Sequence, residues 1–272
     1  MDFIEKYKAD KEATITAKKS AFKVMDSVLD SCVRTPTKLK CTSSDGCVTK
    51  ADYTLKATDS EEVDTLKRTI IASTNNWMDS HGDVHVKGCF GSSDDDFVIA
   101  SHLHDHEFKI TSQIGKVQSY KEKKIAWKTL GIDKDGFTTS LFVDTLVKRS
   151  LNEQFFNLYK SGDVNQHSVG MKYIDIVLAV NSEEKWAEDE KKNWDEFYDK
   201  VANKEEIGSH FWVVKKAQMI EVSAVLRGSN VLTPTIKFGG GDVDVDGVDD
   251  NELKQTMEQK VAYIRKNLSI LK

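Results

Sequence analysis

The chain has 272 residues, 39% of them hydrophobic and 31% charged, with a formal net charge of -5. That leaves room for one large domain, or one domain with appendages, and the acidic balance argues against a general nucleic-acid binder, which presents a basic face. No apolar run approaches the roughly 18 residues needed to span a bilayer, and the first residues lack the apolar core of a signal peptide, so a cytosolic protein without membrane association is expected.

Residues 1–32 read as helix, with Ala21, Val24, Met25, Val28 and Leu29 at the spacing of one apolar face. Residues 33–50 carry Pro36, Ser43, Ser44 and Gly46 and read as a connection or small irregular segment. The cysteines are Cys32, Cys41, Cys47 and Cys89; their spacing makes a poor zinc signature, and reduced thiols are the expected state.

From about 52 to 235 the pattern changes to short β-type runs separated by turn signals. The expected strands are 68–74, 96–101, 114–120, 124–130, 137–143, 165–176 and 211–226. Between two of them, residues 144–161 are expected to form a helix, with Leu146, Leu151, Phe155, Phe156, Leu158 and Tyr159 on its apolar side and Gly162 as its stop. The charged insertion at 182–206 places Trp194, Phe197, Tyr198 and Val201 at helical spacing. It reads as an amphipathic helix laid on the domain, with partner binding as the other reading.

After Pro234 the sequence loosens. Gly239, Gly240 and Gly241 form a hinge, an acidic run follows, and 251–271 read as a helix with Leu253, Met257, Val261, Ile264, Leu268 and Leu271 on one side. Asp242, Asp244, Asp246 and Gly247 match the start of a calcium loop, but Leu253 stands where the bidentate glutamate belongs, so a solvated acidic linker is favoured. The domain plan is therefore an N-terminal helical segment (1–50), a β-rich domain (51–237) and an acidic linker with a helix (238–272).

The residues that could carry chemistry are serine, histidine and glutamate. A serine hydroxyl needs a base within hydrogen-bond reach, histidine suits that role near neutral pH, and a third group must orient the imidazole. Ser168 lies in a β-type run, His102, His104 and His106 crowd one loop, and Glu221 opens a buried-looking strand. The three histidines alternate, so they could also project together as metal ligands, although no regular Cys/His pattern supports that. An isolated serine in a strand is ordinarily structural.

Four motifs in order add to this reading. They are Asp79-Ser-His-Gly-Asp83 followed by Gly88-Cys89-Phe90; His102-Leu-His-Asp-His106 followed by Ile114-Gly-Lys-Val117; Phe155-Phe-Asn-Leu-Tyr-Lys-Ser-Gly162 followed by His167-Ser168-Val-Gly170; and Glu221-Val-Ser-Ala-Val-Leu-Arg-Gly-Ser-Asn230. Their order resembles the tailed-phage prohead proteases, the serine peptidases that mature viral capsids, over about two-thirds of the chain.

The resemblance implies an α+β fold: a mostly antiparallel β-barrel flanked by helices, like herpesvirus assemblin, with helical appendages at both ends. It implies Ser168 as nucleophile, His106 as base (with His104, then His102, as alternatives) and Glu221 as a candidate third member, which could instead be structural. It calls for no cofactor and no metal. The implied substrates are scaffold protein, the N-terminal region of the major capsid protein and the protease itself, inside the immature capsid in the host cytoplasm. A homodimer is compatible, whereas specific nucleic-acid binding is not expected. Residues 239–271 could then be an autocleaved or scaffold-tethering tail. Two rival classes stand beside this one: a non-catalytic scaffold or capsid-assembly protein with the same fold, and a metal-dependent hydrolase built on the histidines at 102–106.

Overall fold

The structure, a computed structural model, describes residues 2–20, 64–92 and 100–236. The chain divides into two compact units, Met1–Val63 and Asp64–Lys272. In the first, helices α1 (Phe3–Ala9) and α2 (Lys11–Ser20) are separated at Asp10, whose carboxylate caps α2 by accepting from Ala13 N at 2.9 Å. The expected single helix is therefore two within the described part. Its apolar face at 21–29, Cys32, Cys41 and Cys47, the acidic run and the helix expected at 251–271 lie outside the described residues.

The second unit is an α+β domain built on a seven-stranded mixed sheet. Its strands are β1 (Thr65–Thr74), β2 (Asp83–His85), β3 (Ser101–His104), β4 (Gln113–Ala126), β5 (Phe137–Lys148), β6 (His167–Val180) and β7 (His210–Ala224). The main path is β1-β5-β4-β3-β7, with β6 along the other edge of β7. The short β2 shares β7 with β3, pairing at its N-terminal half. The β3–β7 and β2–β7 pairs are parallel and the other four antiparallel.

Two expectations are corrected here. The sheet is not closed into a barrel: among the described residues no ladder joins β1 to β6. The free edge of β1 is taken instead by the segment after β7, where Ile71 N donates to Pro234 O at 3.0 Å and Ile236 N to Thr69 O at 2.8 Å. Asn230 anchors that segment, donating to Thr74 O at 2.8 Å and accepting from Leu232 N at 3.1 Å.

The second correction concerns residues 144–161. Residues 144–148 continue β5, with 144–147 paired on both edges, to β1 and to β4, and the helix α3 spans only Glu153–Ser161. Asp144 shows why the strand wins: its carboxylate accepts from Thr69 Oγ1 at 2.6 Å and Ser119 Oγ at 3.1 Å, tying three strands together. Asn152 caps α3 through Phe155 N, and Gly162, with φ +85°, ends it as expected. The runs expected at 114–120 and 124–130 merge into one bulged strand, β4, ending in a turn at Trp127–Leu130.

The insertion at 182–206 is a packed element. Helix α4 (Glu188–Phe197) sends Trp194 and Phe197, with Val201 beyond it, into a cluster with Val84, Ala179, Phe211 and Val213. Helix α3 buries Phe156 and Tyr159 completely against Ile114, Val147 and Ala224. Truncating such a side chain to alanine costs on the order of 3–5 kcal/mol.

Candidate active site

Residues 221–224 of β7 pair with β3 on one edge and with β6 on the other. The register places Ser101 beside Glu221 and Leu103 beside Ser223 across the parallel ladder, and Gly170 beside Glu221 and Ser168 beside Ser223 across the antiparallel one. Directly paired residues share a face, and alternate residues of a strand do too. Ser168, Ser223 and Glu221 therefore stand on one face of the sheet. His102, beside Val222, and His167, beside Ala224, stand on the other.

His106 reaches the Glu221 face through a turn. β3 ends at His104, and Asp105 and His106 both adopt left-handed backbone, with φ +52° and +55°. Such values are uncommon for residues other than glycine, and histidine and aspartate tolerate them better than most. Asp105 N donates to Ala224 O at 3.0 Å, and His106 N donates to Ser223 Oγ at 3.1 Å. The His106 side chain then meets Glu221, Nδ1 to Oε1, at 2.6 Å.

Glu221 is fully buried, and its second oxygen accepts from Ser223 Oγ at 2.6 Å. The result is a closed ring: the His106 amide donates to Ser223, Ser223 donates to Glu221, and the His106 ring donates to Glu221. Both carboxylate oxygens are held, which fixes the plane of the imidazole. Since Glu221 Oε1 only accepts when ionised, Nδ1 carries the proton and Nε2 is left as the basic nitrogen.

The side chain of His106 is 31% exposed, against 0% for Glu221. Partial burial pulls the His106 pKa down. The hydrogen bond to Glu221 and the charges of Glu221 and Asp105 outweigh it, so the net shift is upward from 6.5.

Ser168 is half-buried at the start of β6. Its neighbour across the ladder, Ser223, is the residue that grips the His106 amide, which places serine and histidine on adjoining positions of one surface. No hydrogen bond joins Ser168 Oγ to His106 among the described residues.

Gly170 explains the Ser-Val-Gly spacing. A Cβ at this position would lie 2.0 Å from Glu221 Oε1. The glycine is thus required by the buried carboxylate opposite it.

The other two histidines do not join the site. His102 is fully buried, with Nδ1 3.0 Å from Thr145 Oγ1 and Nε2 3.0 Å from the Tyr159 hydroxyl; burial, and then the neighbouring His167, hold its pKa well below 6.5. His104 stacks on Phe155, ring centroids 4.6 Å apart, and its Nδ1 lies 3.0 Å from Asp105 Oδ2. Neither occupies the position of a base toward Ser168. The three do not converge, and among the described residues no group of three or more histidine, cysteine or acidic side chains is arranged to hold a metal ion.

Sequence reasoning passed over Ser223, although it lies within the Glu221-Val-Ser motif and two-residue spacing on a strand was the signal for its shared face. It also left the first motif without a role. Asp79 accepts from the amides of His81 and Asp83, forming the turn into β2. The amides of Gly88 and Phe90 donate to Glu122, so that loop cradles a carboxylate from β4. Cys89 is buried there, and burial, followed by the charge of Glu122, pushes its thiol pKa well up, the signature of an inert thiol. Arg227 is exposed in the loop after β7. Among the described residues no helix is long and apolar enough to cross a membrane.

No protein-family model matches this chain, and neither a curated protein nor a solved structure matches it.

Proposed function

We propose that this protein is a serine endopeptidase of virus assembly, acting as the prohead proteases it resembles act: on scaffold protein, on the N-terminal region of the capsid protein and on itself, within the immature capsid. The observation that carries the reading is the 2.6 Å contact between His106 and buried Glu221, made beside a half-buried serine on the adjoining strand. A base whose ring is fixed by a carboxylate, next to a hydroxyl, is the arrangement that acyl transfer needs.

In the proposed reaction Ser168 Oγ attacks the scissile carbonyl while His106 Nε2 takes its proton. Glu221, anchored by Ser223, stabilises the imidazolium that forms. His106 then protonates the leaving amine, and water, deprotonated by the same nitrogen, hydrolyses the acyl-enzyme. No step calls for a cofactor.

Co-expression with the scaffold and capsid proteins tests the reading. Ser168→Ala should abolish processing, and His106→Ala should slow it by about 10²–10⁴-fold. Unchanged products with Ser168→Ala would sink the peptidase and leave the non-catalytic assembly protein standing.

A further inference from the structure

Behind the site, on the opposite face of β7, a line of buried groups crosses from one flanking strand to the other. Thr145 Oγ1 lies 3.0 Å from His102 Nδ1, His102 Nε2 lies 3.0 Å from the Tyr159 hydroxyl, that hydroxyl lies 2.9 Å from His167 Nε2, and His167 Nδ1 lies 3.0 Å from Thr233 O. Tyr159, His102 and His167 are each fully buried.

The last contact sets the direction of the whole line. A backbone carbonyl only accepts, so His167 carries its proton on Nδ1 and its Nε2 is an acceptor. Tyr159 must then donate to His167, and its oxygen accepts from His102 Nε2–H. His102 Nδ1, left as an acceptor, shares the one Thr145 hydroxyl proton with Lys116 O, 3.1 Å from Thr145 Oγ1. The two links at Tyr159 each have one donor and one acceptor, and both imidazoles are neutral.

What the line joins matters for the site in front of it. His102 lies on β3, whose continuation is the turn that presents His106. His167 lies on β6, immediately before Ser168. These strands hold opposite edges of β7 at residues 221–224, and the single tyrosine hydroxyl from α3 spans them. We propose that Tyr159 is a positioning residue of the peptidase site: its hydroxyl ties His102 to His167 behind β7 and so holds the His106 turn and Ser168 at the spacing the reaction requires. This rests on the Ser168–His106–Glu221 reading above. Small displacements at such a site are expensive, with about 1 Å costing up to about 10²-fold in rate.

The test uses the full-length chain and a fluorophosphonate, which reacts with an activated serine: the Oγ–P bond forms, the P–F bond breaks, fluoride leaves, and the serine proton passes to solvent through the base. Peptide mass locates the label, and the concentration dependence separates reagent affinity (KI) from the chemical step (kinact). The wild type should label at Ser168. Tyr159→Phe, which removes the hydroxyl alone, should keep KI and lose roughly tenfold in kinact. Phe156→Leu, a core truncation on the same helix with the bridge intact, should lower the melting temperature and leave kinact unchanged.

Wild-type kinact in Tyr159→Phe, or an equal loss in Phe156→Leu, overturns the positioning role while labelling of Ser168 upholds the peptidase. Absence of wild-type labelling at Ser168 overturns the peptidase reading and this role with it. Should Tyr159→Phe fail to fold, Thr145→Val, isosteric and at the end of the same line, takes its place: a reduced kinact supports the role and an unchanged one overturns it.

Discussion

His106 and Glu221 stand 115 residues apart in the chain, yet their side chains meet at 2.6 Å, with the carboxylate completely buried. A buried carboxylate leaves its site only at the cost of several kcal/mol of lost pairing, so this contact fixes the imidazole rather than merely accompanying it.

The contact sets a pH dependence. The His106 pKa stands above 6.5, because Glu221 and Asp105 outweigh the opposing effect of burial. Catalysis needs the neutral ring, so fluorophosphonate labelling of Ser168 should rise with pH through a midpoint above 6.5. Stability runs the other way: a raised folded pKa gives a contribution fully present below the unfolded value and lost as pH rises through the folded one. In Glu221→Gln the midpoint should fall, in both the labelling profile and the NMR titration of the His106 ring. A midpoint that stays in place would show that Glu221 does not tune this base.

Gly170→Ala tests how the motif accommodates the carboxylate. Its Cβ would fall 2.0 Å from Glu221 Oε1, with the Glu221 Cγ and Cδ atoms at 2.8 Å. Overpacking of this kind costs about 1–3 kcal/mol, and here the displaced group also orients the base. Urea unfolding should show that loss, and Ser168 labelling should fall by more than the unfolded fraction explains. A variant as stable and as reactive as the wild type would place the Glu221 side chain elsewhere.

The buried histidines predict sensitivity to acid. Burial lowers the His167 pKa from 6.5 to about 4, against a smaller opposing effect of the Thr233 carbonyl, and His102 is lowered well below 6.5 by burial and then by His167. The unfolded chain therefore binds more protons than the folded one between these values. Stability is full above about 6.5 and falls as pH drops toward 4, by roughly 3 kcal/mol for His167. His167→Gln, whose amide oxygen keeps an acceptor for Tyr159, should flatten the urea midpoint between pH 7 and 4.5 relative to wild type. An equal acid loss in both proteins would remove His167 as its source.

The candidate site was legible in parts. Ser168, the histidine loop and Glu221 came from motif order, and His106 followed from its place after Asp105 and before the Ile-Gly-Lys-Val strand. The divergence of the three histidines was not legible. Alternation correctly separates residues within β3, but His106 lies past the strand end, where two left-handed residues swing it to the opposite face. Ser223 was overlooked because a serine in a buried strand carries no signal until its partners are known.

For the fold, local chemistry determined the caps and stops: Asn152 and Gly162 bound α3, and the aromatic spacing of 194–201 marked an amphipathic element. Tertiary structure decided the rest. The residues from Asp144 to Val147 have apolar spacing compatible with helix, and become strand because β1 and β4 claim both their edges. The sheet stays open because the hydrogen-bonding groups of β1 at Thr69 and Ile71 are satisfied by Pro234 and Ile236 instead of by β6. The chain by itself determined which residues could be nucleophile, base and orienting acid. The contact of His106 with Glu221, and the placing of Ser168 on the strand beside them, depend on β7 being paired on both edges at once, and a long-range pairing of that kind leaves no periodicity in the sequence.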